Sequence, residues 1–416
     1  MYAAEVKKRR NIHNKLVELQ GNIRVFCRVR PIIAEERTRD AEGIVNCVEY
    51  PVDGEVIVRD RTRTHRYEFD GVFGPSSTQR DVFADIEDTI VSVVDGYNLC
   101  IFAYGQTGSG KTFTMQGPSE NPGVNRRALQ RLFDTINNRK EDWTYKMSVA
   151  MLEIYNEKVR DLIAKPSKDK GPGASKGSGG LDIRKVCKGG ENTVVGLIWT
   201  PVKSVADVLK VMSSGERNRA VGVHNMNHRS SRSHLVVQVK VEGKNVHTGE
   251  WHRGRLHLID LAGSERVAKT DAKGQRLKEA QAINKSLSAL GNVISALALK
   301  TNGSKTQRHV PFRDSKLTFL LENSLSGQSK VLMFCCSSPV LWNAPESVCS
   351  LNFAKRCRSV QLGAATKNSS NPEVVRLRHK IAELELSLEE CNGTGGGGVS
   401  ARAPSRSPAR RKKRGV

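Results

Sequence analysis

The sequence predicts an α/β layered fold, a sheet covered by helices, and three observations carry that prediction. Short apolar runs alternate with helical stretches along the chain, the order that builds a sheet covered by helices. The run Leu99 to Tyr104 leads directly into Gly105, Gln106, Thr107, Gly108, Ser109, Gly110, Lys111 and Thr112, which fit G-x-x-x-x-G-K-[ST] at every fixed position. A second apolar run, Leu256 to Ile259, ends on Asp260, where an aspartate serving such a loop is expected.

Taken in order, residues 1 to 20 are polar and helix-prone. Ile12, Leu16 and Leu19 stand at heptad-like spacing, a stripe too short to hold two chains together by itself. Gly21 and Asn22 break that helix, and Ile23 to Arg30 alternates at period two as a strand does, ending at Pro31. Residues 44 to 73 read as short strands and turns with a hairpin tip at Asp53-Gly54. A helix from Thr78 to Val94 then leads into the strand before the glycine-rich loop, and Lys146 to Tyr155 forms another strand. Residues 165 to 180 are a low-complexity insertion expected to be mobile. A helix over Val205 to Arg217 and strands at Leu235 to Val241 and Leu256 to Ile259 follow. The next helix, Gln275 to Leu299, carries the stripe Ile283, Leu287, Leu290, Ile294 and Leu297.

After Gly363 the character changes. Val374, Leu377, Ile381, Leu384 and Leu388 keep a 3-4-3-4 spacing, which fits a short coiled coil or a helix docked on its own domain equally well. Cys391 to Gly398 is a glycine-rich hinge. Residues 400 to 416 hold seven Lys/Arg and no acid, so they are expected to be a disordered tail.

Composition narrows the partners. A formal net charge of +24 points to a polyanion: nucleic acid, an acidic membrane surface or an acidic protein lattice. The nine cysteines contain no C-x-x-C pair, so reduced thiols in the cytosol or nucleus are expected. The histidines lack ligand-like spacing, so no structural metal is expected. Lys7 to Arg10 is not followed by an apolar core of a secretory signal, and no long uncharged apolar run suggests a membrane span.

The loop sets the chemistry. Its glycines let backbone N–H groups close around phosphate oxygens. Lys111 brings a point charge to the β- and γ-phosphates, and the Thr112 hydroxyl and Asp260, the latter through water, are suited to Mg²⁺. A nucleoside triphosphate is the expected ligand. Asn227 to His234 adds hydroxyls, an amide and a guanidinium, groups suited to positioning a transferring phosphoryl group. Gly263 offers a flexible N–H next to Asp260.

Together with Arg28 to Pro31 and His309 to Leu317, these motifs resemble, in order and from about Gly21 to Gly363, the motor domain of the kinesins. The resemblance implies an α/β P-loop NTPase, with a central mixed β-sheet flanked by helices on both faces, that uses ATP and Mg²⁺, binds microtubules and belongs to the cytoplasmic cytoskeleton, with the spindle as one setting. By motif position, Arg28, Arg30 and Pro31 would lie beside the adenine, with Phe113 stacked on its other face. Asn227, Ser230, Ser231, Arg232, Gly263 and Glu265 would form the catalytic set, with Ser231 joining Thr112 and Asp260 at the metal. Arg232 and Glu265 would pair to close switch I (Asn227 to His234) onto switch II (Asp260 to Glu265), a gate that forms only with γ-phosphate present. Lys273, Arg276, Lys278, Lys285, Arg308, His309, Arg313 and Lys316 would face tubulin, where Phe319 replaces an arginine of many plus-end motors.

The helix running into Gly21-Asn22, with no plus-end neck linker after Ala354 to Gly363, resembles the minus-end-directed kinesin-14 branch. The implied organisation is a neck (1–20), a motor domain (21–363), a linker with a short amphipathic helix (364–390) and a basic tail (391–416). That branch's upstream stalk is not in this sequence, so a fragment, a short member or a chain needing a partner is expected. Homo- or heterodimerisation would use the neck or the post-motor helix. The tail would bind a second microtubule or another polyanion, or act as a nuclear address. Alternatives are a plus-end motor, a microtubule-binding regulator or depolymeriser with the same ATP site, and a nucleic-acid-dependent ATPase.

Overall fold

The computed structural model describes residues 23–38, 46–164, 180–185, 192–221, 231–266, 274–301, 309–362 and 365–370, with Glu5, Arg9, Ile12, Asn14 and Lys15 before them. The chain divides into two units, Met1–Ser369 and Ser370–Val416, and everything below concerns the first. The stripe at 374–388, the hinge, the tail and residues 165–179 of the insertion lie outside the described residues.

The strands in chain order are β1 (Ile23–Val29), β2 (Val48–Glu49), β3 (Glu55–Arg59), β4 (Thr64–Glu68), β5 (Gly71–Phe73), β6 (Asn98–Tyr104), β7 (Trp143–Tyr155) and β8 (Lys158–Asp161). They continue as β9 (Ile183–Lys185), β10 (Asn192–Val194), β11 (Thr200–Val202), β12 (His234–Asn245), β13 (Trp251–Asp260) and β14 (Ser329–Ser337). The central sheet runs β11-β7-β12-β13-β6-β14-β1-β5. It is parallel from β13 through β6, β14 and β1 to β5, and antiparallel from β11 through β7 and β12 to β13. This is the mixed sheet expected.

Period-two alternation divides each strand between two cores. In β6, Cys100, Phe102 and Tyr104 join one cluster while Leu99, Ile101 and Ala103 join the other. The helices are α1 (Ala34–Thr38), α2 (Gln79–Ala84), α3 (Glu87–Val94), α4 (Lys111–Met115), α5 (Val124–Asn137), α6 (Val205–Val221), α7 (Gln275–Thr301), α8 (Lys316–Asn323) and α9 (Ala344–Arg358). The first core takes Leu287, Leu290, Ile294 and Leu297 of α7, with α8 and α9; the second takes Ile90 and Val93 of α3 and Leu129 and Leu132 of α5.

One expectation needs correction. The single helix over Thr78 to Val94 is two helices, the first opened by a reciprocal cap between Thr78 and Asp81. The break falls at Asp85, whose carbonyl accepts from the Arg24 guanidinium at 3.1 Å. Leu277–Leu299 is long and apolar enough by composition to cross a bilayer, though it is not uncharged. Its stripe, however, is buried in the domain core, and Lys278, Glu279 and Lys285 interrupt it.

The neck contributes through an unforeseen residue. Ile12 is exposed, whereas Asn14 is buried, donating to Asp95 Oδ2 at 3.1 Å and accepting from Lys330 Nζ at 3.3 Å. Asp95 also pairs with Arg139 at 2.7 Å, and Lys330 donates to Ser92 Oγ at 2.9 Å. After α9, Asn368 hydrogen-bonds through its backbone to Gly96 and Arg253, each at 2.9 Å.

Candidate nucleotide site and its switches

The site lies at the carboxyl ends of parallel strands, where ligands of open α/β sheets are held. β6 ends in the phosphate loop, β13 ends in Asp260, and β1 leads into Arg30 and Pro31. Gly105 adopts φ +148°, and a Cβ there would overlap the Cys336 carbonyl oxygen and Ser109 Oγ. Only glycine allows the loop to leave the strand this closely. Lys111 is buried, its Nζ donating to the Gly105 and Gln106 carbonyls at 2.8 Å each. Burial pulls its pKa down, while Asp260, Cys336 and Glu265 push it back up.

Thr112 Oγ1 donates to Asp260 Oδ2 at 2.6 Å. Asp260 Oδ1 is buried and has no hydrogen-bond partner among the described residues. Burial raises the Asp260 pKa, opposed by the Thr112 bond and by the charges of Lys111 and Arg219. A buried carboxyl group with one oxygen unsatisfied beside a hydroxyl suits a hydrated divalent cation.

The residues expected around the base separate. Arg28 is buried, its Nη1 donating to Gln79 Oε1 at 2.8 Å and Thr114 Oγ1 at 3.1 Å, with its guanidinium 5.2 Å from the Phe113 ring. It therefore supports Phe113 rather than standing open to a ligand. Arg30 bridges to the Gly108 carbonyl at 2.7 Å and to Glu36 at 2.5 Å, so it braces the phosphate loop. Phe113 and Pro31 are exposed.

In this structure the switch residues take other partners. Asn227 and Ser230 lie outside the described residues. Arg232 and Glu265 do not face each other. The Arg232 guanidinium pairs with Glu279 of α7 at 2.8 Å, and Tyr155 donates to the other oxygen of that carboxylate at 2.7 Å. Glu265 accepts instead from Thr107 N and Oγ1, at 2.8 and 2.7 Å. The Gly263 N–H, expected to be available to a γ-phosphate, donates to the Ser231 carbonyl at 3.0 Å. A Cβ on Gly263 would overlap the Glu265 carboxylate and Thr107 Oγ1, so a side chain there would have to displace that pair. Glu279 and Tyr155 escaped sequence reasoning because nothing local marks them: the Arg232 partner is 47 positions away.

A family model described as the kinesin motor domain matches residues 28–360. The chain belongs to the kinesin motor-domain family. Kinesin-like protein KIN-14Q of Arabidopsis thaliana is 47% identical over 389 residues, covering 93% of this chain and 31% of that relative. The chain thus spans about a third of that relative's length. Among solved structures, a fast kinesin aligns with TM-score 0.74 and 38% identity over 84% of this chain and 94% of its own. The motor of Kar3Vik1, fused to a synthetic heterodimeric coiled coil, aligns with TM-score 0.71 and 38% identity over 85% of this chain and 89% of its own.

In this motor domain Lys278, Lys285, His309 and Arg313 are exposed, while Lys273, Arg308 and the Arg276 side chain lie outside the described residues. Lys285, Arg313 and Lys316 line a cleft of about 650 Å³ together with Glu157 and Asp182. Lys316 is half-buried and bonded to Asp182 at 2.9 Å, so it is less available than its neighbours. The Arg313 guanidinium lies 5.4 Å from the Phe319 ring, which holds its planar face in place.

One histidine of the switch I motif is deeply buried. His234 is drawn from its ordinary pKa of 6.5 down to about 3 by burial, and further by Arg219 and Lys111. An unfolded chain therefore takes up a proton that the folded one refuses, so stability is full above pH 6.5 and declines as pH falls toward 3. The melting temperature should follow that decline, and His234→Asn should flatten it. Parallel curves for the two proteins would refute a ring kept neutral by the fold.

Proposed function

We propose that this chain is an ATP-hydrolysing microtubule motor, minus-end-directed, whose turnover is stimulated by microtubules. The observation that carries the reading is the Thr112–Asp260 pair at the foot of the phosphate loop, with Asp260 Oδ1 left for a hydrated ion. Mg²⁺ held there would neutralise charge on the β- and γ-phosphates. Lys111 would exchange the Gly105 and Gln106 carbonyls for phosphate oxygens, and Phe113 and Pro31 would border the base. Ser231, with Asn227 and Ser230, would position the attacked phosphoryl group. The exposed cations Lys278, Lys285, His309 and Arg313, with Lys273, Arg276, Arg308 and Lys316, would meet acidic tubulin in a fast, salt-sensitive encounter.

Closure requires two exchanges of partner: Arg232 leaves Glu279, Glu265 leaves Thr107, and the two then pair across the switches. Arg232→Ala is therefore expected to bind ATP within a few-fold of the parent while microtubule-stimulated kcat falls about 10²-fold or more. Glu265→Ala should behave alike. Normal stimulated turnover in either variant would discard the closure.

Direction is assigned from the neck and from the KIN-14 relatives. Asn14 ties the segment before β1 to Asp95 and Lys330, so that segment would swing as a lever with the domain. Pairing of two chains through the neck or the post-motor helix, and a tail that grips a second microtubule or another polyanion, complete the proposal. The chain would act on the microtubule cytoskeleton, including the spindle. Gliding of polarity-marked microtubules over surface-bound protein, with and without residues 1–22, tests direction. ATPase rates with microtubules and with DNA at matched salt test the partner, and microtubule loss during the assay would instead indicate a depolymeriser.

A further inference from the structure

We propose that His234 is a positioning residue that couples switch II to the long helix α7, an inference that rests on the motor reading above. The residue opens β12 and is fixed from outside the site. It pairs in register with Ile154 of β7, and Ser233 before it is held by the Arg219 guanidinium, 2.8 Å from its Oγ and 3.2 Å from its carbonyl. Its ring is 3% exposed. Nδ1 accepts from the Ala262 N–H at 3.1 Å. A neutral ring that accepts at Nδ1 carries its proton on Nε2, and Nε2 lies 2.8 Å from Ser286 Oγ on α7. The Ser286 hydroxyl in turn donates to the Ile283 carbonyl at 2.7 Å. Each hydrogen bond thus has a defined direction, from the switch II backbone through the ring to the helix.

Successive switch II amides divide between a fixed and a movable partner. Ala262 N–H goes to His234, anchored in the sheet, while Gly263 N–H goes to the Ser231 carbonyl on switch I, at 3.0 Å. When Gly263 is released from Ser231, the imidazole is the hinge that remains, and its other nitrogen holds α7 beside Asn284 and Lys285. His234 needs no contact with nucleotide to carry this out. A core histidine that merely satisfies its neighbours would stabilise the domain without linking the two movements.

The test uses isosteres. His234→Asn keeps an oxygen where Nδ1 accepts from Ala262 but cannot reach Ser286. His234→Gln reaches Ser286 but no longer accepts from Ala262, and Ser286→Ala removes the acceptor on the helix. His234→Asn and Ser286→Ala should each lower the ratio of microtubule-stimulated to basal ATPase about tenfold, with KM for ATP unchanged. The double variant should be no worse than either single one, and His234→Gln, which gives up the Ala262 bond, should lower the ratio likewise. Equal loss of basal and stimulated rates, or an unchanged ratio, overturns the proposal. Hydrogen exchange over Ile283 to Leu290 supplies a readout without microtubules. Adding a non-hydrolysable ATP analogue should alter exchange in the parent and not in His234→Asn. The same response in both overturns the coupling, whereas a parent not stimulated by microtubules counts against the motor reading alone.

Discussion

Asp260→Asn should abolish most turnover while leaving the ligand-free protein as stable as the parent, or more so. The carboxylate is 4% exposed, and its pKa is raised chiefly by burial. A raised carboxyl pKa means that the fold disfavours the charged form at neutral pH, a penalty that fades as pH falls and the group protonates. Asparagine keeps the shape and can still accept from Thr112, so it removes that penalty. What it loses is the negative charge opposite the metal, for which a fall in kcat of about 10²- to 10³-fold is expected. Opposite movements of activity and melting temperature identify a group kept for chemistry. If both fell together, Asp260 would be a structural residue and the metal assignment would fail.

The largest stability effect is expected at Asp95→Ala. The Asp95 side chain is 3% exposed and its partner Arg139 12%, at 2.7 Å, with Lys330 buried in the same cluster. Removing the carboxylate strands buried cations, so a loss of about 3–5 kcal/mol in urea unfolding is expected. By contrast the Arg59–Glu49 pair, 60% and 49% exposed, should contribute little, because solvent and salt screen it. Asp95 also receives Asn14, so the same variant should free the neck, seen as earlier proteolytic cleavage before Gly21. A variant as stable as the parent would show that the cluster is not held by charge.

Much of the site is legible in the sequence. The phosphate loop, Asp260 and Gly263 each owe their role to backbone geometry within a few residues, and glycine spacing after an apolar strand reports that geometry directly. Strand cores are equally legible: Leu99 to Tyr104 reads as a strand and forms β6. Helix ends are less so, because Asp85 gives its carbonyl to Arg24, 61 positions away. Arg28 shows the same limit at the site, since Gln79 and Thr114 draw it beneath Phe113.

The sequence alone determined the chemistry this chain can address and the order of strands and helices that presents it, because both depend on neighbours along the chain. Only the tertiary structure decided which charged and polar groups meet. Arg232 takes Glu279, Asn14 takes Asp95 and His234 takes Ser286 across 47, 81 and 52 positions. Such choices follow from which buried groups the packed sheet and helices bring within bonding distance, where an unmatched polar atom is costly. No local pattern encodes that selection.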